Sequence, residues 1–223
     1  MMSDVSTLIT LTDPRSPVSE AYRSLRTNLE FFSLDEPIRT LVVTSPGAEE
    51  GKSTVLANLA VVLAQGGKRV ILADCDLRRP TQHTLFGLDN TAGLTTMMVD
   101  ETAQSEPPLR KTSVDGLRVL PAGPSPPNPA ELLGSRRMKE AMANLLEQVD
   151  LLLFDAPPVL AVTDALVLAV QADGVLLVVK AGGTKREHVQ QAKERLERVN
   201  ARIVGSVLNN APTDPTLEGY YAT

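Results

Sequence analysis

Residues 40–54 read TLVVTSPGAEEGKST, and this stretch decides the fold. Its first five residues are apolar or β-branched, which predicts a buried strand, and residues 52–65 have the pattern of a helix. A strand, a Gly-containing turn and Lys-Ser at a helix start are typical of proteins that bind a nucleoside triphosphate, because the free N–H groups of the first helical turn favour phosphate. We therefore expect Lys52 to reach the β- and γ-phosphates and the Ser53 hydroxyl to bind magnesium.

This loop departs from the usual pattern in two ways. Pro46 stands where the motif has its first Gly, and Gly47 follows one place later. The loop also carries two acids, Glu49 and Glu50. A carboxylate beside a polyanion weakens binding unless it turns towards solvent. The loop alone therefore leaves an ordinary strand-to-helix turn open as an alternative.

Composition excludes several classes of protein. The chain has 223 residues, of which 43% are hydrophobic, enough for one large domain with a sizeable core. Its net charge of −5 and its 3% aromatic content disfavour nucleic-acid binding and a general affinity for anionic lipid. The single cysteine, Cys75, excludes an internal disulfide and fits a reducing compartment. No signal peptide or membrane span is predicted, so we expect a cytoplasmic protein.

Three aspartates follow apolar runs that predict strands. Asp74 and Asp76 come after residues 69–73, and Asp155 comes after residues 151–154. In a parallel sheet the carboxyl ends of the strands lie at one edge, so these carboxylates are expected to face the phosphate loop. There they can hold magnesium and take a proton from an attacking hydroxyl. The alternative is a turn whose aspartates cap the next helix.

Alternating strands and helices, about six of each, predict an α/β fold, and the phosphate-loop motif makes it one of the P-loop NTPase type. We expect a single domain with a mostly parallel central sheet and helices on both faces. Residues 1–16 are expected to be extended or mobile, and residues 184–187 (TKRE) to form a capping box that opens a helix. Tyr220 and Tyr221 stand together near the C-terminus. They are either incidental residues of a frayed terminus or acceptors that a catalytic site can reach.

An amphipathic helix is predicted over residues 18–32, with Pro17 as its first residue. Glu20, Arg23 and Arg26 recur every three residues along its polar side and share a face. This pattern fits either a solvated face with an internal ion pair or a docking face for a neighbouring subunit.

Taken together, these motifs resemble the cytoplasmic catalytic domain of the bacterial tyrosine kinases that govern capsule and exopolysaccharide export. The resemblance covers nearly the whole chain, and three phosphate-site motifs in the right order make it specific. The motifs that carry it are Glu20-x-x-Arg23-x-x-Arg26, Gly51-Lys52-Ser53-Thr54, residues 73–80 (ADCDLRRP), residues 120–123 (LPAG), residues 127–133 (PNPAELL), residues 153–158 (LFDAPP) and Tyr220-Tyr221.

The resemblance implies ATP as the phosphoryl donor and magnesium as the cofactor. By the same resemblance Asp74 and Asp76 divide two roles, with Asp74 as the base for the acceptor hydroxyl and Lys52 as the third catalytic residue. Asn209, at the end of the last predicted strand, is placed where related ATPases contact adenine, although a plain strand-ending Asn is an equal alternative. The implied metal ligands are Ser53, Asp76 and Asp155. The implied nucleotide contacts are Gly47, Glu50, Gly51, Lys52, Ser53, Thr54 and Asn209.

The family also implies partners. Glu20, Arg23 and Arg26 would join copies of the chain into a ring, so that each tail enters a neighbouring site for autophosphorylation at Tyr220 and Tyr221. The other implied partners are a membrane-embedded chain-length regulator that activates the kinase and a cognate tyrosine phosphatase, with no nucleic acid. The implied location is cytoplasmic, peripheral at the inner face of the membrane. The domain organisation is then an N-terminal segment with the oligomerisation helix (1–35), a P-loop kinase or ATPase domain (36–211) and a flexible tyrosine-containing tail (212–223).

Two other functions fit parts of the pattern. The first is a switch ATPase of the cell-division or plasmid-partition type, which carries a second lysine near the start of the loop, where this chain has Gly47. The second is a non-catalytic, ring-forming assembly module that binds nucleotide weakly because of Glu49. Label transferred from ATP to a tail tyrosine separates the kinase from both.

Overall fold

A computed structural model of the chain describes residues 8–32, 37–100 and 106–212. Tyr220 and Tyr221 lie outside these residues. The helices are α1 (Ile9–Thr12), α2 (Pro17–Phe32), α3 (Lys52–Gln65), α4 (Gln82–Leu85), α5 (Leu94–Val99), α6 (Pro129–Leu133), α7 (Arg136–Leu146), α8 (Asp164–Ala169) and α9 (Arg186–Arg198). The strands are β1 (Thr40–Thr44), β2 (Val70–Asp74), β3 (Arg110–Lys111), β4 (Leu117–Leu120), β5 (Leu151–Asp155), β6 (Gly174–Lys180) and β7 (Ile203–Asn209).

The strands form one seven-stranded sheet in the order β3-β4-β2-β5-β1-β6-β7. Every pairing is parallel except the one between β3 and β4. The predicted α/β fold with a mostly parallel central sheet is therefore confirmed. The seventh strand, which the sequence did not indicate, is β3, a two-residue antiparallel edge strand. A strand of that length is too short to produce a periodic pattern in the sequence.

Each face of the sheet has its own apolar core. Leu41 and Val43 of β1 point into one cluster, and Val42, which lies between them, points into the other. This alternation is the two-residue period of a strand, and all of β1 is buried because both faces are covered. On the first face α3 contributes a nearly continuous apolar run and α2 packs over it. Helices α7, α8 and α9 contribute to the cluster on the other face.

The N-terminal segment is better ordered than the sequence predicts, so the prediction of a mobile lead was wrong for its described part. Leu8 is fully buried, and α1 follows it directly. The backbone N–H and the hydroxyl of Thr10 both donate to Oδ1 of Asn58, at 3.1 and 2.8 Å. Asn58 is itself buried on α3 and needs hydrogen-bond partners, which α1 supplies.

The predicted capping box at residues 184–187 was also wrong. Helix α9 begins at Arg186 with Lys185 at its N-cap, and no side chain caps it. The hydroxyl of Thr184 instead accepts a hydrogen bond from the backbone N–H of Lys180 at 3.0 Å, which closes the turn after β6. A Ser or Thr hydroxyl can satisfy a turn or a helix start, and the sequence does not distinguish the two.

Among the described residues, no helix is both long enough and apolar enough to cross a membrane.

Candidate active site

The phosphate loop joins β1 to α3 and is fixed by its own polar groups. Gly51 has φ +86°, and a Cβ at this position would lie 2.1 Å from Nδ2 of Asn209, so a larger residue is excluded by both conformation and contact. That Asn209 amide donates to the backbone carbonyl of Glu50 at 2.9 Å. The last strand therefore contacts the loop directly, as expected of a residue at a strand end facing the site. A role for Asn209 in contacting adenine stays a prediction.

The two loop acids face different surroundings. Glu50 is buried, and its Oε1 accepts the N–H of Gly47 at 2.9 Å. Burial raises the pKa of Glu50, although the Gly47 N–H opposes the shift. Glu49 is exposed and has φ +60°, in the left-handed region that a glutamate seldom adopts. The Glu49 carboxylate therefore has water around it, which weakens its repulsion of a bound phosphate.

Lys52, the first residue of α3, lies among the acids. Its Nζ is 2.9 Å from Oδ2 of Asp76 and 3.1 Å from Oδ1 of Asp155. The Oγ of Ser53 is 3.0 Å from the same nitrogen. Burial opposes the lysine charge, but the charges of Asp155 and Asp76 more than offset this, and the pKa of Lys52 is raised. The lysine and the predicted magnesium ligands therefore form one cluster, as the sequence predicts.

Asp74 is the most perturbed group of the cluster. It is fully buried and pairs in register with Asp155 on the neighbouring strand. Burial, followed by the charge of Asp155, raises the pKa of Asp74 to about 8. Its Oδ2 accepts the backbone N–H groups of Thr81 and Gln82, each at 2.9 Å, and its Oδ1 has no partner. Asp74 thus sits at the strand end as expected and also caps the start of α4, whereas its role as a base stays a prediction.

Asp76 lies on the turn after β2, and the start of α8 anchors this turn. Its Oδ1 accepts the backbone N–H of Arg79 at 3.1 Å, which leaves Oδ2 for Lys52. Two residues further on, Arg78 makes a bidentate ion pair with Asp164, at 2.9 and 3.1 Å. The side chain of Asp164 is fully buried. This pair fixes the turn that carries Asp76, because a planar guanidinium and a carboxylate meet in one geometry.

Sequence reasoning missed three residues that support the acids: Gln82, Arg78 and Asp164. Gln82 is fully buried, and its Nε2 donates to Oδ2 of Asp155 at 2.8 Å. The Arg78–Asp164 pair joins residues that are 86 positions apart. No local pattern in the sequence indicates such a long-range pair. The polar residues that follow Asp76 are the one signal in the sequence that further side chains contribute to this edge of the sheet.

The predicted docking residues on α2 do not all act alike. Arg23 pairs with Glu20 at 2.6 Å and also donates to the carbonyl of Pro14. Arg26 instead donates to the carbonyl of Val62 at 3.0 Å, near the C-terminal end of α3, where the helix dipole favours a cation. Arg26 is therefore also bound within its own chain, and the predicted internal ion pair is present between Glu20 and Arg23. The docking role of Glu20, Arg23 and Arg26 stays a prediction.

Comparison with known proteins shows the family to which the chain belongs. A family model described as ParA, NUBPL iron-transfer P-loop NTPase, matches residues 38–214. Tyrosine-protein kinase YwqD of Bacillus subtilis (strain 168) is 45% identical over 217 residues, which cover 97% of this chain and 91% of YwqD. The chain belongs to the bacterial tyrosine-protein kinases.

Solved structures agree with this assignment. The chimerical protein CapA2B2 has a TM-score of 0.88 at 35% identity, and the match covers 96% of this chain and 95% of that one. The kinase domain of Escherichia coli tyrosine kinase ETK has a TM-score of 0.85 at 30% identity, and the match covers 96% and 85% of the two chains. The resemblance to bacterial tyrosine kinases that the motifs predict is confirmed.

The chemistry of the kinase site fits a magnesium nucleotide. Carboxylates and a hydroxyl are the oxygen ligands that Mg²⁺ prefers, and the predicted set Ser53, Asp76 and Asp155 supplies them. The unpaired Oδ1 of buried Asp74 adds an acceptor that the folded chain does not satisfy. Among the described residues, no three acidic, His or Cys side chains are already grouped as a metal site. The ammonium group of Lys52 lies between Asp76 and Asp155.

Proposed function

We propose that the chain is an ATP-dependent protein-tyrosine autokinase that phosphorylates the C-terminal tyrosines of a neighbouring copy. We further propose that it regulates the synthesis and export of capsular polysaccharide or exopolysaccharide. The observation that carries the catalytic part is the cluster in which Lys52 contacts Asp76, Asp155 and the Ser53 hydroxyl within 3.1 Å. Kinship with named tyrosine-protein kinases supports tyrosine as the acceptor.

In this proposal the phosphate loop binds and orients ATP. The N–H groups at the start of α3 and the Lys52 ammonium bind the phosphates, because both carry positive charge. Lys52 must turn from Asp76 and Asp155 towards the phosphates, which frees those carboxylates. Magnesium, when bound by Ser53, Asp76 and Asp155, would neutralise phosphate charge and favour the ionised form of Asp74.

Asp74 receives the proton in the transfer step. The bond between the γ-phosphorus and the β,γ-bridging oxygen breaks, and a bond forms from phosphorus to the tyrosine oxygen, leaving ADP. The phenolic proton passes to Oδ1 of Asp74, which has no other partner. In the nucleotide-free chain, burial and Asp155 raise the pKa of Asp74 to about 8, so its action as a base needs the ionised form that bound magnesium would favour. The remaining part of the rate enhancement comes from positioning of the reactants and from neutralisation of their charge.

The switch ATPase is the weaker candidate. Its second loop lysine is absent, because Gly47 stands there. The 45% identity to YwqD extends over nearly the whole of both chains, so the kinship is not limited to the phosphate loop. The assembly module is also disfavoured, because the Glu49 carboxylate is exposed to water.

The proposed partners follow from the family resemblance. Copies of the chain would assemble into a ring in which Glu20, Arg23 and Arg26 contact the next subunit. A membrane-embedded chain-length regulator would activate the kinase and hold it at the inner face of the membrane, and a cognate phosphatase would reverse the modification. Phosphate added to tail tyrosines would favour disassembly through charge repulsion. Nucleic acid has no part in this scheme.

The test is transfer of label from γ-labelled ATP in the presence of Mg²⁺, followed by mapping of the labelled peptide. We expect label on Tyr220 or Tyr221 and its loss in Lys52→Met. Lys68→Met is the matched control, because Lys68 is exposed just beyond the C-terminal end of α3 and contacts none of the acids. Mixing Lys52→Met with a chain that carries Tyr220→Phe and Tyr221→Phe tests whether one copy phosphorylates another. Label on the Lys52→Met chain supports transfer between copies, and free phosphate without labelled tyrosine supports the switch ATPase.

A further inference from the structure

Gln82 connects three separate parts of the candidate active site. It is the first residue of α4 and is fully buried. Its side-chain Nε2 donates to Oδ2 of Asp155 at 2.8 Å and to the backbone carbonyl of Ser53 at 3.1 Å. Its backbone N–H donates to Oδ2 of Asp74 at 2.9 Å. One residue therefore contacts the ends of β2 and β5 and the start of α3.

The orientation of the Gln82 amide follows from these partners. Both groups facing Nε2 are oxygen acceptors, so the reversed amide would place Oε1 against a carboxylate and a carbonyl. In the observed orientation Oε1 is buried without a partner. An apolar side chain of the same shape would fill this space without burying an unpaired acceptor. Packing alone therefore does not explain a glutamine here, whereas its two donated hydrogen bonds do.

We propose that Gln82 is a positioning residue that fixes the Asp155 carboxylate relative to Ser53. These two residues are the two ends of the expected magnesium site. Asp155 has two oxygens, and Gln82 holds one while the other faces Lys52. Without the amide, the carboxylate can rotate about its side-chain bonds, and the backbone of Ser53 loses the link to Asp155 that runs through Gln82. This inference rests on the proposed function, because it assigns Gln82 to the magnesium-dependent part of nucleotide binding.

Binding of the fluorescent nucleotide mant-ADP, with Mg²⁺ and with EDTA, tests the proposal in the full chain. The readout is the ratio of the two affinities, called here the magnesium enhancement. In Gln82→Met, which keeps the size of the side chain and removes the donor, we expect the enhancement to fall about tenfold, as for loss of an outer-shell partner. Affinity in EDTA should stay within about twofold, because the loop and Lys52 are unchanged.

Gln171→Met is the matched control. The Nε2 of Gln171 also donates to two oxygens, the carbonyls of Leu133 and Val167, and its Oε1 is also unpaired and buried. It contacts none of the site acids, so its substitution should leave the enhancement unchanged. An unaltered enhancement in Gln82→Met would overturn the proposal. So would a Gln82→Met chain that fails to fold or melts well below Gln171→Met, because that result assigns Gln82 to stability.

The experiment separates this inference from the proposed function, because it involves no tyrosine. A wild-type chain that shows a magnesium enhancement, lost in Gln82→Met, supports the role of Gln82 even if no tyrosine is labelled. A chain that labels tyrosine and keeps the full enhancement in Gln82→Met supports the kinase and rejects the positioning role. A wild-type chain without any enhancement also rejects it.

Discussion

Replacing Asp74 by Asn is expected to stabilise the nucleotide-free protein, and to do so more as the pH rises. The pKa of Asp74 is raised from 3.8 to about 8 in the folded chain by burial and by Asp155. The folded state therefore binds more protons than the unfolded state between those two values, and its stability falls as the pH rises through that window. Asn is neutral throughout, and its Oδ1 can still accept the N–H groups of Thr81 and Gln82.

The size of the effect follows from the shift. For one isolated site, the stability that Asp74 removes grows by about 3 kcal/mol between about pH 5 and pH 7. Asp74 interacts electrostatically with Asp155 and Lys52, so part of this change is shared with them. We therefore expect Asp74→Asn to gain about 1–3 kcal/mol over wild type between these pH values. In a chain of this size, this corresponds to about 2–4 °C in Tm for each kcal/mol.

The assay is thermal and urea unfolding of wild type and variant in EDTA at a series of pH values. Asp150→Asn is the control, because its partner Arg69 and the Arg69 backbone N–H hold the pKa of Asp150 at about 2. Asp150 stabilises the fold above its unfolded pKa and loses this effect only as the pH falls towards 2, so its variant should differ from wild type by a constant amount between about pH 5 and pH 7.

A difference between Asp74→Asn and wild type that stays constant with pH would refute the reasoning, and so would one that shrinks as the pH rises. Either result would mean that Asp74 is ionised at neutral pH in the folded chain. Asp74→Asn is also expected to abolish labelling of tyrosine, because it removes the proposed base, although the variant is more stable than wild type.

Three other substitutions test neighbouring claims. Glu49→Gly should relieve a residue with φ +60° and raise stability by up to about 1 kcal/mol. It should also tighten ATP binding in calorimetry, and an unchanged affinity would show that solvent already screens the carboxylate. Arg26→Ala should cost about 1 kcal/mol in urea unfolding through its lost bond to α3, whereas Arg23→Ala should leave stability unchanged and shift sedimentation towards monomers, and intact assembly would contradict the docking role. Asn209→Ala should weaken ATP binding, because it removes the hydrogen bond that holds the Glu50 carbonyl of the phosphate loop. An affinity equal to that of wild type would argue against a role for this hydrogen bond.

Much of the site could be predicted from the sequence because it depends on topology. Apolar runs that end in Asp74 and Asp155 predict strands, and parallel strands bring their carboxyl ends to one edge. The register in which the two residues are paired confirms this expectation. The helix that begins at Lys52 was likewise predicted at the correct residue, because Gly51 precedes it and the apolar run that follows is long.

The rest depends on contacts between residues that are far apart in sequence. The hydrogen bonds from Gln82 to Asp155 and from Thr10 to Asn58 join residues 73 and 48 positions apart. Neither contact leaves a periodic or local pattern. The inward turn of Arg26 has the same origin, because a spacing of three residues places side chains on one side of α2 without showing where the end of α3 lies.

The contact between Asn209 and Glu50 has a mechanical consequence. These residues are 159 positions apart, yet one amide joins the last residue of β7 to the residue before Gly51. The chain leaves the sheet at this point, and the segment that carries Tyr220 and Tyr221 follows it. A force that displaces the end of β7 would therefore act on the backbone beside the phosphate loop through the hydrogen bond from Asn209 to Glu50.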